Sequence, residues 1–111
     1  MESKVAVILT SPDADVVWTG LFYAIKSTRN GFMDDLRLVL WGPAERTIAK
    51  NEELKEMVRE YQGLGKTVFA CKTCSDRYKV TEQMENLGCV VDYVGSIVSQ
   101  WMKDGFTLFN W

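Results

Sequence analysis

The sequence predicts an α/β fold: a three-layer α/β/α sandwich around a five-stranded, mainly parallel sheet. Five short runs of β-branched and other apolar residues recur along the chain, and stretches with apolar residues at helical spacing separate them. The first run, KVAVILT at residues 4–10, is almost continuously apolar, as expected for a strand covered on both faces. Strands that alternate with helices form βαβ units, in which the helix crosses over and the two strands run parallel. Right-handed crossovers then restrict the possible topologies.

In the first half of the chain, turn and cap residues set the limits of the predicted elements. These are a strand over residues 4–10, a helix over 15–28, a strand over 36–41, a short helix over 44–49 and a longer helix over 52–64. Asn30 and Gly31 end the first helix, since glycine commonly follows a last helical turn. Pro43 suits the first turn of the short helix, and Asn51 is a suitable N-cap for the longer one.

The second half continues the alternation. Its predicted elements are a strand over residues 67–71, a helix over 80–87, a strand over 89–94, a helix that begins at Gly95 and a strand over 106–111. Gly88 and Gly105 close the two helices. Ser75 is predicted to N-cap a further helix that follows the third strand.

The stretch TVFACKTCSDR at residues 67–77 brings two cysteines to the end of the third strand. Cys71 is the last residue of the apolar run, and Cys74 follows three residues later. Chemistry collects at the carboxyl ends of strands in open parallel sheets, so both thiols are candidate catalytic groups. Lys72 and Arg77 are candidate thiolate-stabilising residues, because positive charge favours the thiolate, the reactive form of cysteine.

Each cysteine also has a plainer interpretation. Cys71 can be a core residue, since free cysteine behaves as a small hydrophobe. Cys74 is predicted either to react, as a resolving thiol or disulfide partner, or to lie against the core. A C-x-x-C pair after a strand is typical of redox proteins, although Lys72 and Thr73 between the two thiols include no proline. Cys89 begins the fourth strand, and we expect it to be buried.

The sequence contains no histidine, which excludes Ser–His and Cys–His catalysis and histidine-ligated metal sites. The three cysteines are spaced by three and fifteen residues, which matches no zinc pattern. No glycine-rich phosphate-binding loop follows any predicted strand. Neither a metal nor a cofactor is predicted.

Charge and hydropathy argue against several classes of partner. The formal net charge is −2, so no basic footprint points to nucleic acid or an anionic membrane. The apolar run in MESKVAVILTS is too short for a signal peptide, and no stretch approaches the length of a membrane span. We expect a single domain over residues 1–111 in the cytoplasm, where cysteines stay reduced.

The order of these features resembles the DsrE/DsrF-like family of small α/β sulfur-relay proteins, which includes TusD-like subunits. The features that carry the resemblance are an apolar first strand, a second strand that ends in Trp41, Gly42 and Pro43, the VFAC strand end, and the segments DRYKVTEQ and VDYVGSIVSQWMKDGFTLF. The resemblance covers most of the chain. It implies a sulfur carrier or sulfurtransferase that holds a persulfide on Cys71.

The same resemblance implies a homo-oligomer, a trimer or hexamer, that works with sulfur donor and acceptor proteins. Trp111 is a candidate interface residue, because aromatic side chains are enriched at interfaces. The sequence departs from the relay subunits at Cys74. Two alternatives therefore stay open: a thiol–disulfide redox protein that uses Cys71 and Cys74, and a non-catalytic interaction module.

Overall fold

The computed structural model describes residues 2–111 and confirms the predicted α/β fold. Five strands form one all-parallel sheet in the order β4-β3-β2-β1-β5. The strands are β1 (Lys4–Leu9), β2 (Asp35–Leu40), β3 (Val68–Cys71), β4 (Val90–Asp92) and β5 (Thr107–Asn110). The helices are α1 (Ala14–Asn30), α2 (Pro43–Ala49), α3 (Glu52–Gly63), α4 (Lys72–Tyr78), α5 (Thr81–Asn86) and α6 (Val94–Lys103).

Side chains alternate between the two faces of the sheet and so divide the core into two parts. In β1, Val5, Val7 and Leu9 belong to the larger part, whereas Ala6 and Ile8 belong to the smaller one. This alternation is the two-residue period of an extended strand. All five of these residues are buried, so β1 is covered on both faces as its continuous apolar run predicts.

The two faces of the sheet are covered unequally. Helices α1, α2, α3 and α5 supply buried residues to the larger part of the core. On the opposite face, α6 supplies Val94, Val98 and Trp101 to the smaller part. Cys71 at the end of β3 belongs to this smaller part, and Cys74 packs against it. Both thiols therefore face the more thinly covered side of the sheet.

The predicted helix limits agree closely with the structure where cap residues specify them. The side chain of Asp13 accepts hydrogen bonds from the backbone N–H groups of Asp15 and Val16 and so caps α1. Gly31 ends α1 in the left-handed conformation, with φ of 63°, which glycine adopts without steric cost. The predicted N-cap Asn51 is confirmed, because its Oδ1 accepts the Leu54 N–H at 3.0 Å.

The predicted N-cap at Ser75 is wrong. Helix α4 begins directly after β3, with Cys71 in the N-cap position, so Ser75 lies inside the helix and is fully buried. Its hydroxyl is 2.8 Å from the carbonyl oxygen of Cys71 and donates to the carboxylate of Glu45. The hydroxyl therefore bonds to buried acceptors and does not cap the helix. Glu45 is distant in sequence from Ser75, so a local cap pattern does not reveal this bond.

Within residues 2–111, no helix has both the length and the apolar character that a membrane crossing requires.

Candidate functional site

Cys71 and Cys74 form a thiol pair at the carboxyl end of β3. Cys71 is the last residue of the strand and Cys74 lies in the first turn of α4, so the strand-to-helix junction sets both positions. Both cysteines are free thiols; Cys71 is 6% exposed and Cys74 is partly exposed. The structure thus brings the two predicted catalytic residues together, with Cys74 nearer to solvent.

The Cys74 thiol is held in its protonated form. Burial is the main cause that raises the pKa of Cys74 to about 11, and the neighbouring Cys71 side chain acts in the same direction. Removal of the Cys74 proton is therefore unfavourable beside Cys71. Cys74 is therefore a thiol that keeps its proton at neutral pH, next to Cys71.

A buried carboxylate, Glu45, lies next to the pair. Glu45 is in the first turn of α2 and is 0% exposed. Its Oε1 accepts a hydrogen bond from Ser75, whereas its Oε2 is buried without a partner. Burial raises the pKa of Glu45 to about 7, although hydrogen bonds from Ser75 and the Gly42 backbone act in the opposite direction. A carboxyl group with this pKa exchanges its proton near neutral pH.

Gly42 links the carboxylate to the thiol pair. Its backbone lies close enough to the side chains of Glu45 and Cys74 to lower the pKa of both groups. Gly42 has φ of 74° and ψ of −139°, a conformation that strongly favours glycine. The Gly-Pro turn after β2 therefore has a role beyond opening α2, because it presents a backbone donor to two acidic groups.

Cys89 is buried, as predicted, and is 8% exposed just before β4. Burial raises its pKa to about 12, and the charge of Glu45 contributes in the same direction. Cys89 belongs to the larger part of the core, whereas Cys71 belongs to the smaller part. The structure therefore separates this third thiol from the pair.

The two predicted thiolate-stabilising cations have partners on their own helix. Lys72 Nζ forms an ion pair with Asp76 Oδ2 at 3.2 Å, and the guanidinium of Arg77 lies 6.0 Å from the centre of the Tyr78 ring. Neither cation is among the groups that shift the pKa of Cys74. Their role at the thiols stays a prediction.

Among residues 2–111, no group of three or more histidine, cysteine, aspartate or glutamate side chains is arranged to hold a metal ion.

Sequence reasoning missed Glu45 and the buried role of Ser75. Glu45 follows Pro43 in the short segment PAERTIA, where a glutamate near a helix start is usually solvated. Its burial results from the packing of α4 against α2, which brings two segments about thirty residues apart into contact. The Gly42–Pro43 turn after a strand is the one local signal that could have drawn attention to this position.

Comparison with solved structures supports a DsrE-like fold. A conserved protein of unknown function from Bacteroides thetaiotaomicron, BT1422, superposes with a TM-score of 0.90 over 98% of this chain and 95% of that chain, at 24% sequence identity. The ychN protein from E. coli superposes with a TM-score of 0.71 over 97% of this chain and 99% of that chain, at 16% identity. No protein-family model matches the sequence, and no curated protein matches it significantly.

Proposed function

We propose that the protein is a sulfur carrier that holds sulfur as a persulfide on Cys71. The observation that carries this proposal is the pair of neighbouring free thiols, Cys71 and Cys74, at the carboxyl end of an inner strand of the parallel sheet. Burial of Cys71 alone would equally fit a core cysteine. The second thiol beside it distinguishes this site from a lone core cysteine.

In the proposed loading step, the Cys71 sulfur attacks the terminal sulfur of a donor persulfide, R–S–SH. A sulfur–sulfur bond forms at Cys71, the sulfur–sulfur bond of the donor breaks, and the donor leaves as a thiolate that takes up the proton lost by Cys71. The products are Cys71–S–SH and R–SH. A later attack by an acceptor thiolate on the terminal sulfur of Cys71 returns the free thiol.

The surroundings of Cys71 suit a persulfide. The side chain lies among Val94, Val98 and Trp101 of the smaller core, so its sulfur is shielded from most of the solvent. Cys74 is the more exposed thiol of the pair. Partial shielding slows attack on a Cys71 persulfide, and an acceptor reaches it by docking at this edge of the sheet.

The first experiment incubates the reduced protein with glutathione persulfide and measures the intact mass, followed by peptide mapping. We expect a gain of one sulfur atom on Cys71. The substitution Cys71→Ser should abolish the gain, whereas Cys74→Ser should still accept sulfur. Cys89→Ser is the matched control, because that thiol is free but belongs to the other part of the core. Sulfur found on Cys89, or on no cysteine, would refute the proposal.

A thiol–disulfide redox function is the second candidate, and the contact between Cys74 and Cys71 favours it specifically. In that case oxidation joins the two sulfurs and removes two hydrogen atoms. We expect either Cys71→Ser or Cys74→Ser to prevent this disulfide. If the native protein loses two hydrogens after treatment with the persulfide donor and Cys74→Ser also retains no sulfur, the redox function is favoured over the carrier.

We also propose that the protein works with sulfur donor and acceptor proteins and assembles as a homo-oligomer, a trimer or hexamer. The support is an exposed aromatic surface in which Trp18 stacks on Phe22 with ring centres 5.2 Å apart. Beside it, Phe22, Phe32 and Trp111 line an open groove of about 540 Å³. Light scattering should give the mass of the assembly, and Phe22→Asp should lower it. Met102→Asp, at a similarly exposed position on α6, is the control. A monomeric native protein would contradict this proposal.

A further inference from the structure

We propose that Glu45 is the proton acceptor for Cys74, and that Cys74 is the resolving thiol of the pair. When no acceptor removes the second sulfur atom from Cys71, the Cys74 sulfur attacks the Cys71 sulfur in a slower second step, and its proton passes to the free carboxylate oxygen of Glu45. The inference rests on the proposed function only in requiring that Cys71 takes up another sulfur.

The position of Glu45 is the first argument. The side chain is completely enclosed, and Ser75 fixes Oε1 by donating its hydroxyl proton. Oε2 has no hydrogen-bond donor. A buried oxygen without a donor costs free energy, which is recovered when that oxygen is protonated or receives a proton from a neighbour. Cys74 is a neighbouring proton-bearing group, since the charge of Glu45 acts on it.

The second argument is the small number of hydrogen-bond donors around Glu45 and Cys74. The Gly42 backbone is a donor group that lowers the pKa of both Glu45 and Cys74. The other groups around Glu45 are Ser75 of α4 and the thiols of Cys74 and Cys89. Neither Lys72 nor Arg77 is among the groups that shift the pKa of Glu45. A buried site of this kind favours one negative charge and disfavours two. Loss of the Cys74 proton is therefore coupled to gain of a proton by Glu45.

The third argument is that Cys74 needs a base. With a pKa of about 11, only about one Cys74 in ten thousand is ionised at pH 7. Glu45, with a pKa of about 7, is ionised in about half of the molecules at that pH. A base with a pKa near the working pH is the most effective one for such a transfer.

The proposed step is balanced in atoms and electrons. A bond forms between the sulfurs of Cys74 and Cys71, and the bond from Cys71 to the departing sulfur breaks with its electron pair. The departing group is hydrosulfide when Cys71 was a persulfide and a thiolate when it was a mixed disulfide. The Cys74 proton goes to Glu45 and then to the departing sulfur. The two cysteines are oxidised, the departing sulfur is reduced, and a dithiol reductant reopens the disulfide.

The test uses the full chain and dithiodipyridine, which releases a coloured thiopyridone at each step. In the first phase Cys71 forms a mixed disulfide, and in the second phase Cys74 resolves it. We expect Glu45→Gln to slow the second phase relative to the first by at least about tenfold at pH 7.5. This is smaller than the roughly 10²–10⁴-fold contribution typical of a general base, because removing the negative charge also lowers the pKa of Cys74. The exposed Glu53→Gln is the matched control.

The pH profile separates proton transfer from a structural effect. In the native protein the second phase should rise as Glu45 ionises around pH 7 and then level off. In Glu45→Gln this inflection should be absent. Ser75→Ala keeps the carboxylate but removes a hydrogen bond that lowers its pKa, so the inflection should move to higher pH. If Glu45→Gln fails to fold, the shift in Ser75→Ala decides the question.

The possible failures are distinguishable. In Glu45→Gln, the first phase can be normal while the second phase is as fast as in the native protein or keeps its pH inflection. Either result overturns the role of Glu45 and leaves the carrier function intact. A missing second phase in the native protein overturns the role of Cys74. A missing first phase overturns both this inference and the proposed function, because Cys71 then accepts no sulfur. Peptide mapping establishes that the product disulfide joins Cys71 to Cys74.

Discussion

Two regions of this protein are equally hidden from water but differ in what they contain. Around Leu38, in the middle of β2, the larger part of the core consists of apolar side chains from the sheet and from α1 and α3. At the carboxyl end of β3, Glu45 and Ser75 are just as inaccessible but are polar. Apolar burial stabilises the fold, whereas burial of a carboxylate costs free energy that the rest of the fold must offset. The comparison indicates that the apolar region serves stability and that the polar region serves chemistry.

The largest effect should follow from a cavity in the apolar region. Leu38 is 0% exposed and pairs with Val7 and Val68 in the neighbouring strands, so the site has little room to collapse. We expect Leu38→Ala to lower the free energy of unfolding by about 2–5 kcal/mol in urea titrations. Met102→Ala, at a side chain 49% exposed, should change it by no more than about 0.5 kcal/mol. Similar losses in both variants would show that burial does not distinguish these positions energetically.

The polar region should make stability depend on pH. The pKa of Glu45 is about 7 in the folded protein against an ordinary value of 4.5, so folding favours the protonated carboxyl. Its contribution is complete below about pH 4.5 and is lost as pH rises through about 7. The loss amounts to about 3 kcal/mol. Urea titrations between pH 5 and 7.5 should follow this decrease in the native protein.

In Glu45→Gln the decrease should disappear, because an amide does not ionise in this range. The sequence has no histidine, so no histidine titrates in the same interval. Glu53→Gln, at an exposed position on α3, should retain the full decrease. A native protein whose stability is flat between pH 5 and 7.5 would mean that Glu45 is ionised normally, and the contrast between the two buried regions would fail.

The apolar region could be predicted from the sequence almost completely. The continuous apolar run of β1 and the glycine or asparagine caps of α1 and α3 are local signals, and each corresponds to an observed element. The limits of the strands shift by no more than two residues; the fourth strand, for example, is predicted over residues 89–94 and observed as Val90–Asp92. Periodicity and capping are properties of neighbouring residues, so they can be read without the fold.

The polar region could be predicted only in part. Cys71 and Cys74 were identified because the strand end and the three-residue spacing are local. The sequence does not identify Glu45, since its burial depends on α4 packing against α2. Ser75 was assigned to a cap for the same reason, because a serine near a helix start normally caps it unless a distant acceptor competes. Contacts between segments distant in sequence decide the chemistry of a site, and a single sequence does not specify them.

The smallest effect tests how closely the apolar region is packed. Gly20 lies inside α1, where a Cβ would stand 2.4 Å from Leu9 Cδ2 and 3.0 Å from the Trp111 ring. Leu9 is itself 0% exposed, so its side chain has little space to yield. Gly63→Ala is the matched control, because Gly63 is also helical but has no heavy atom within 4 Å of a new Cβ.

Both alanines gain helix propensity of up to about 1 kcal/mol, so the difference between the two variants isolates the clash. We expect Gly20→Ala to be less stable than Gly63→Ala by about 1–3 kcal/mol in thermal and urea unfolding, the usual cost of overpacking a core. Equal stability of the two variants would mean that α1 moves away from β1 at little cost. The apolar region would then accept new side-chain volume as a surface does. In that case the polar cluster around Glu45, and not the apolar region, would be the more rigid of the two.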